Sequence, residues 1–195
     1  MKIIITRHGE TEENKAGIIQ GHLPGVLSEL GKEQAEKLAE RLRDEGLDLI
    51  ISSDLARAHD TAKTIGELHS DIDLTLDERL RERFLGELQG ETKKGVGLPK
   101  GIHLMDFIKE GSFESDEKIF VRARALIKDI LGKSEKDVLL VGHEGICGYI
   151  IGILLNKNDE ELKKVIGLEN TSVTIFEGDE NNMKLKLLND TSHLG

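Results

Sequence analysis

The chain begins with a short apolar segment that ends in a polar turn, Lys2-Ile3-Ile4-Ile5-Thr6-Arg7-His8-Gly9-Glu10-Thr11. An uninterrupted isoleucine run of this length predicts a strand that is buried on both faces, as in a parallel sheet. Ligands of open α/β sheets bind beyond the carboxyl ends of the strands. We therefore expect Arg7 and His8, which follow this run, to belong to a functional site.

The same alternation of apolar runs with amphipathic segments continues along the chain. Further strands are predicted at residues 47–52, 74–76 and 138–141, with a closing hairpin at 172–177 and 183–188. Helices are predicted up to residue 45, then at 54–68, 115–131, 146–155 and 159–166, and the hydroxyls of Ser28 and Ser53 are expected to cap the first two. This order predicts an α/β fold, a three-layer sandwich whose mostly parallel sheet carries helices on both faces.

No repeat or linker divides the chain, so we expect residues 1–195 to form a single domain. Between about residues 84 and 114 the periodicity fails, and glycines recur together with a proline. A long irregular segment inside a compact domain ordinarily serves a function. We expect an irregular cap or substrate loop there, with a short helix near residues 104–109.

The composition argues against several classes of partner. A formal net charge of −10 over 195 residues disfavours binding to the phosphate backbone of nucleic acids. With no tryptophan, one tyrosine and five phenylalanines, the chain also lacks a platform for stacked bases. No apolar stretch is long enough for a membrane helix, and the lone Cys147 permits no internal disulfide. We expect a cytoplasmic protein without nucleic-acid or membrane partners; a homodimer stays open, since no feature identifies an interface.

Two histidines stand in equivalent places, because His8 follows the first predicted strand and His143 follows the strand near the end of the chain. If those strands are neighbours, both imidazoles meet at one edge of the sheet. Arg7 and Arg57 add fixed positive charge, and the flanking glycines allow backbone N–H groups to approach a ligand closely. Cationic donors of this kind suit a phosphoryl group, whose charge is roughly −1.5 to −2 at neutral pH.

The segment Thr6–Thr11 resembles the signature of the histidine phosphatase superfamily, the phosphoglycerate-mutase-like proteins. Further pieces of that pattern occur in the same order, namely Asn14, Gln20-Gly21, Leu27-Ser28-Glu29-Leu30-Gly31, Ser52-Ser53-Asp54-Leu55-Ala56-Arg57-Ala58, Leu80-Arg81-Glu82 and Val141-Gly142-His143-Glu144-Gly145. The resemblance covers nearly the whole chain and thins only between about residues 92 and 112. It implies a phosphoglycerate-mutase-like fold.

The resemblance also implies roles for individual residues. His8 would be the nucleophile that forms a phosphohistidine, and Glu82 would be the proton donor to the leaving group. The catalytic set is then His8, Glu82, His143, Arg7 and Arg57. The substrate-binding set is Arg7, Asn14, Gln20, Gly21, Arg57, Glu82, His143 and Glu144. No metal and no cofactor are implied, and the start of a zinc motif at His143-Glu144 fails because Cys147 stands where the second histidine belongs.

The residues alone leave plainer interpretations open. Glu82 lies in a charged run, and spacing does not choose among Glu78, Glu82 and Glu87. Arg57 could pair with Asp54 or Asp60 on a solvated helix face. Either site histidine could merely cap its strand. The remaining histidines, at positions 22, 59, 69, 103 and 193, are expected to be surface or structural residues.

Within the resembling family, phosphatases and cofactor-dependent phosphoglycerate mutases share the phosphate pocket. The mutases carry an adjacent pair of arginines after the catalytic acid, whereas residues 84–121 of this chain contain no arginine. Lysine does not give a carboxylate or phosphate the two parallel hydrogen bonds that arginine gives. We therefore expect a phosphatase that acts on a small phosphorylated metabolite; a mutase and a non-catalytic phosphate-binding protein are the alternatives.

Overall fold

The computed structural model describes residues 1–99, 101, 104–107, 112–132, 137–162 and 167–195. Within these ranges one sheet of six strands lies at the centre. Its strands are β1 (Lys2–Arg7), β2 (Leu49–Ser52), β3 (Leu74–Leu76), β4 (Val138–Gly142), β5 (Val173–Asp179) and β6 (Asn182–Asp190), in the spatial order β3-β2-β4-β1-β5-β6. Strands β1 to β4 are mutually parallel, and the hairpin β5-β6 adds to β1 antiparallel.

Helices cover both faces of this sheet. They are α1 (Glu12–Ala16), α2 (Glu29–Leu42), α3 (Ala56–Gly66), α4 (Leu104–Phe107), α5 (Asp116–Leu131), α6 (Glu144–Leu154) and α7 (Asp159–Leu162). Successive side chains of a strand point to opposite faces. Ile4 accordingly joins the core beneath α2 and α3, whereas Ile3 and Ile5 join the core beneath α5 and α6. The predicted three-layer α/β sandwich is confirmed.

Local capping explains where the long helices begin. The Ser28 hydroxyl accepts a hydrogen bond from the Gly31 N–H at 3.0 Å, as expected of an N-cap, and α2 buries one apolar face behind it. The corresponding prediction for Ser53 is wrong, because α3 begins later, after Leu55, without a side-chain cap. The Ser53 hydroxyl lies instead 2.9 Å from His143 Nε2, so that it serves a distant part of the chain.

Other differences from the predicted elements are small. The short helix α1 was not predicted; it is held by a capping box between Thr11 and Asn14. The predicted start of the sixth helix at residue 146 is two residues late, since α6 begins at Glu144. Parts of the helices predicted at 104–109 and 159–166 lie outside the described residues. No helix in the described ranges is long and apolar enough to cross a membrane.

The sheet register brings the two histidines together. Arg7 at the end of β1 pairs with Gly142 at the end of the parallel strand β4, so His8 and His143 follow at the same level. Ser52 at the end of β2 pairs with Val141, which brings the start of α3 to this edge as well. The carboxyl ends of three adjacent strands thereby define one site.

Candidate active site

The imidazoles of His8 and His143 lie side by side, with ring centroids 5.1 Å apart and planes inclined by 60°. Both side chains are buried, at 3% and 0% exposure. Burial and the nearby cations Arg57 and Arg7 hold the pKa of each histidine well below its ordinary value. Both rings are therefore neutral at neutral pH.

The hydrogen bonds of His8 identify which ring nitrogen is available for reaction. His8 Nδ1 lies 2.7 Å from the Gly9 carbonyl oxygen, which can only accept, so Nδ1 carries the proton. The lone pair of the neutral ring is then on Nε2, which accepts a hydrogen bond from Arg57 Nε at 3.2 Å. A neutral imidazole whose Nε2 lone pair faces a guanidinium is arranged as a nucleophile toward an anion that the guanidinium holds.

Arg57, in the first turn of α3, is almost fully buried at 1% exposure. Its terminal nitrogens donate to three backbone carbonyls, of Leu23 at 2.5 Å, Gly21 at 2.9 Å and Pro24 at 3.3 Å. Burial lowers the pKa of Arg57 to about 10, which leaves the group charged at neutral pH. The structure does not pair Arg57 with Asp54 or Asp60, since Asp54 binds Arg81 instead. Arg57 is thus a fixed, desolvated cation beside His8.

Arg7 supplies a second cation at the end of β1. Its Nη1 donates to the Leu168 carbonyl at 2.6 Å and lies 3.1 Å from a carboxylate oxygen of Glu144, the first residue of α6. The buried Nε of Arg7 has no hydrogen-bond partner among the described residues. An unpaired buried N–H is costly unless a ligand or water completes it, so this donor fits an anion site.

His143 is fully buried beside His8. Its Nε2 is bonded to the Ser53 hydroxyl, and its buried Nδ1 has no partner within the described part of the chain. The Ser53 oxygen already accepts the Leu55 N–H at 3.2 Å, so its own proton is available for His143 Nε2. If the Ser53 proton is donated to His143 Nε2, the imidazole proton of His143 is on Nδ1.

Glu82 approaches the same edge from the segment after β3. One of its carboxylate oxygens accepts the Arg83 N–H at 2.8 Å, and the other accepts the Gly145 N–H at 3.1 Å. A Cβ at position 145 would lie 2.5 Å from Glu82 Oε1, so a larger residue there would make the Glu82 carboxylate shift. The alternatives Glu78 and Glu87 are engaged elsewhere, with Arg81 and Ser112 respectively.

Arg122, on α5, holds the backbone around Glu82 through several hydrogen bonds. Arg122 Nη1 donates to the carbonyls of Arg79 and Arg81, both at 2.7 Å, and Nη2 donates to the Glu82 carbonyl at 3.2 Å. The same guanidinium pairs with Glu114 through bonds of 2.8 and 2.9 Å. His22 Nε2 adds a bond of 2.8 Å to the Glu82 carbonyl.

Neither Arg122 nor His22 is predicted from the sequence to support the site. His22 was expected to be merely a surface or structural histidine, whereas it bonds the backbone of a candidate catalytic residue. A signal for Arg122 was present, since a charged residue three positions after Ile119 and four before Leu126 interrupts the buried face of α5.

These groups surround a cavity of about 220 Å³. Among the predicted site residues, its lining includes Arg7, His8, Asn14, Gln20, Gly21, Arg57, Glu82 and Glu144, and excludes His143. The Asn14 side-chain oxygen is occupied by the Thr11 N–H at 3.2 Å. Residues that had not been predicted complete the wall, namely Ile18, Ile19, Arg83, Leu85, Lys93, Leu98, Leu104, Gly145 and Tyr149. Most of these are apolar, so the cavity joins a cationic floor to a largely apolar wall.

Comparison with known proteins agrees with this arrangement. Residues 3–191 match the family model described as the histidine phosphatase superfamily, branch 1. A glucosyl-3-phosphoglycerate phosphatase of Mycobacterium tuberculosis is 32% identical over 91% of this chain and 85% of its own length. A broad-specificity phosphatase of Saccharomyces cerevisiae is 30% identical over 100% of this chain and 88% of its own length. A solved structure of a mycobacterial glucosyl-3-phosphoglycerate phosphatase with VO3 superposes with a TM-score of 0.86 at 29% identity, covering 97% of this chain and 99% of the other.

Proposed function

We propose that this chain, which belongs to branch 1 of the histidine phosphatase superfamily and is a phosphatase, hydrolyses small phosphomonoesters without a metal ion, through a phosphohistidine on His8. The observation that carries the mechanism is the pair of hydrogen-bond contacts of the His8 ring. Its Nδ1 proton is held by the Gly9 carbonyl, and its Nε2 faces the Arg57 guanidinium at 3.2 Å.

In the first step, the phosphoryl group takes its place between the guanidiniums of Arg7 and Arg57. These cations stabilise the charge on the equatorial oxygens. The Arg57 Nε–H leaves His8 Nε2 for a phosphoryl oxygen, and Nε2 attacks phosphorus in line. As the bond from phosphorus to the ester oxygen breaks, Glu82 donates its proton to the leaving alkoxide.

In the second step, the carboxylate of Glu82 accepts a proton from a water molecule that attacks the phosphohistidine. The new bond from oxygen to phosphorus forms while the bond from phosphorus to Nε2 breaks. His8 returns to its neutral form and inorganic phosphate is released. The Gly9 carbonyl stabilises the positive charge that the ring carries between the two steps, because it accepts the Nδ1 proton throughout.

Hydrolysis is favoured over phosphoryl transfer between two sites of one substrate. A mutase must hold a second anionic group, yet Arg83, which lines the cavity, is already bound to Asp116 and Tyr149 at 2.5 Å each. Apart from Arg83, the further cation in the described lining is Lys93. Its single ammonium group does not give an anion the two parallel hydrogen bonds that a guanidinium gives. The cavity is also smaller than the roughly 300 Å³ of a typical ligand pocket, which suits a small alcohol portion.

The same proposal places the enzyme in the cytoplasm as one domain. Cys147 is buried, and burial raises the pKa of its thiol to about 12, so the chain's single cysteine is an inert core residue suited to a reducing compartment. The family model spans residues 3–191, which supports a single unit with the irregular segment 84–114 as its cap or substrate loop.

The first test is hydrolysis of an aryl phosphate by the purified protein with and without a chelator. We expect activity to survive the chelator and to be lost in His8→Ala, while His59→Ala, which removes a partly exposed histidine of α3, retains it. Activity that requires an added divalent ion would refute the metal-independent mechanism. Equal activity of His8→Ala and wild type would exclude His8 as the nucleophile.

A further inference from the structure

The cavity contains one anionic side chain whose position the proposed reaction does not explain. Glu144 lines the cavity, and its Oε2 lies 3.1 Å from Nη1 of Arg7. Arg7 is also one of the two guanidiniums that would hold the phosphoryl group. A substrate or product dianion therefore meets a cation that is already paired with a carboxylate.

Arg7 does not depend on Glu144 for its position. The same Nη1 donates to the Leu168 carbonyl at 2.6 Å. The backbone of Arg7 is fixed within β1 by its register with Gly142, and its carbonyl accepts the Thr171 N–H at 3.0 Å. The Arg7 side chain is 14% exposed and that of Glu144 is 39% exposed, so the arginine is the fixed partner and the carboxylate is the more exposed one.

The charge of Glu144 then acts mainly on anions that bind at Arg7. Like charges within about 6 Å repel each other, and at a partly exposed site the repulsion lowers anion affinity by about tenfold. The loss weighs most on inorganic phosphate, which has no alcohol portion to pack against apolar residues such as Ile18, Leu85 and Leu98. Free phosphate depends on charge and hydrogen bonds alone.

We propose that Glu144 lowers the affinity of the phosphoryl site for inorganic phosphate, so that product leaves readily and ambient phosphate does not occupy the site. This inference rests on the proposed function, because it assigns inorganic phosphate as the product that must leave. It makes Glu144 a residue that sets the anion affinity of the pocket through Arg7. In this proposal Glu144 competes with the phosphoryl group for the Arg7 guanidinium.

The test is the dissociation constant of inorganic phosphate, measured by calorimetry on wild type and Glu144→Gln. The matched control is Glu29→Gln, because Glu29 is likewise the first residue of a helix and is paired with a cation, Lys32, at 2.5 Å. We expect Glu144→Gln to bind phosphate about tenfold more tightly, with Glu29→Gln unchanged. The gain is expected to shrink as ionic strength rises, which a purely structural effect would not do.

Phosphate affinity that is unchanged or weaker in Glu144→Gln would overturn the inference, and weaker binding would assign Glu144 to holding Arg7 in place. If Glu144→Gln does not fold, as judged by its melting temperature, Glu144→Ala carries the same prediction. The calorimetric result is independent of turnover. Tighter phosphate binding by a protein that forms no phosphohistidine would therefore support this inference while refuting the proposed mechanism.

Discussion

Acidification is expected to destabilise the fold through the two buried histidines. In the unfolded chain His8 and His143 take up protons below about pH 6.5, whereas in the folded protein their pKa values are held well below that value by burial and by the neighbouring arginines. The unfolded state therefore binds more protons over this range, and stability falls as the pH falls. Each histidine contributes up to about 1.4 kcal/mol per pH unit once the pH is well below 6.5, so the pair contributes up to about 2.8 kcal/mol per unit.

Urea unfolding measured between about pH 6.5 and 5 tests this magnitude. In this window the carboxyl groups with lowered pKa values, such as Glu45 and Glu114, stay mostly ionised in both states, because their ordinary pKa is 4.5. Their partial protonation in the unfolded chain near pH 5 adds a smaller effect of the same sign. His193, whose pKa is lowered by partial burial, adds a smaller effect of the same sign. Replacing His143 with Gln is expected to reduce the slope by up to about 1.4 kcal/mol per pH unit. A flat wild-type profile, or an unchanged slope in His143→Gln, would show that these histidines are not held neutral.

Three substitutions test how the proton donor is placed. Glu82→Gln is expected to lower kcat/KM for alkyl phosphates by about 10² to 10⁴, with a smaller loss for aryl phosphates, whose leaving groups need less protonation; equal losses would contradict the donor role. Arg122→Met is expected to shift the ratio of aryl to alkyl phosphate activity in the same direction, whereas Arg124→Met, on the same helix, does not. A ratio in Arg122→Met that is unchanged from wild type would show that Arg122 does not position Glu82. Gly145→Ala should also lower alkyl phosphate activity, because its Cβ would lie 2.5 Å from a Glu82 oxygen, and normal activity would show that this contact is not needed.

Much of the fold follows from local pattern. The isoleucine run at Ile3 to Ile5 predicts a strand buried on both faces, and the structure divides its side chains between two cores. The spacing of Ala35, Leu38, Ala39 and Leu42 predicts the buried face of α2. The position of His8 and His143 at strand ends predicts their meeting once the strands are neighbours.

The unpredicted features depend on contacts between distant parts of the chain. Ser53 has the residue type and position of a helix cap, but its hydroxyl is engaged by His143, which lies 90 positions away. Spacing did not distinguish Glu82 from the other acidic residues of its charged run. Glu82 is the residue of this run that lines the cavity, and Arg122, which is 40 positions away, bonds its carbonyl. Such partners are brought together by tertiary packing, which the spacing of apolar residues along the chain does not predict.

The central claim, that His8 carries the phosphoryl group, is tested most directly by trapping the intermediate. In Glu82→Gln, an aryl phosphate should still phosphorylate His8, because its leaving group needs little protonation, while the attack of water is slowed. Rapid mixing should then give a burst of one aryl alcohol per active site, together with an alkali-stable, acid-labile phosphoryl group that mass spectrometry locates on His8. The combined variant with His8→Ala should show neither. A burst without phosphoryl on His8, or the same phosphoprotein in the His8→Ala background, would contradict the account.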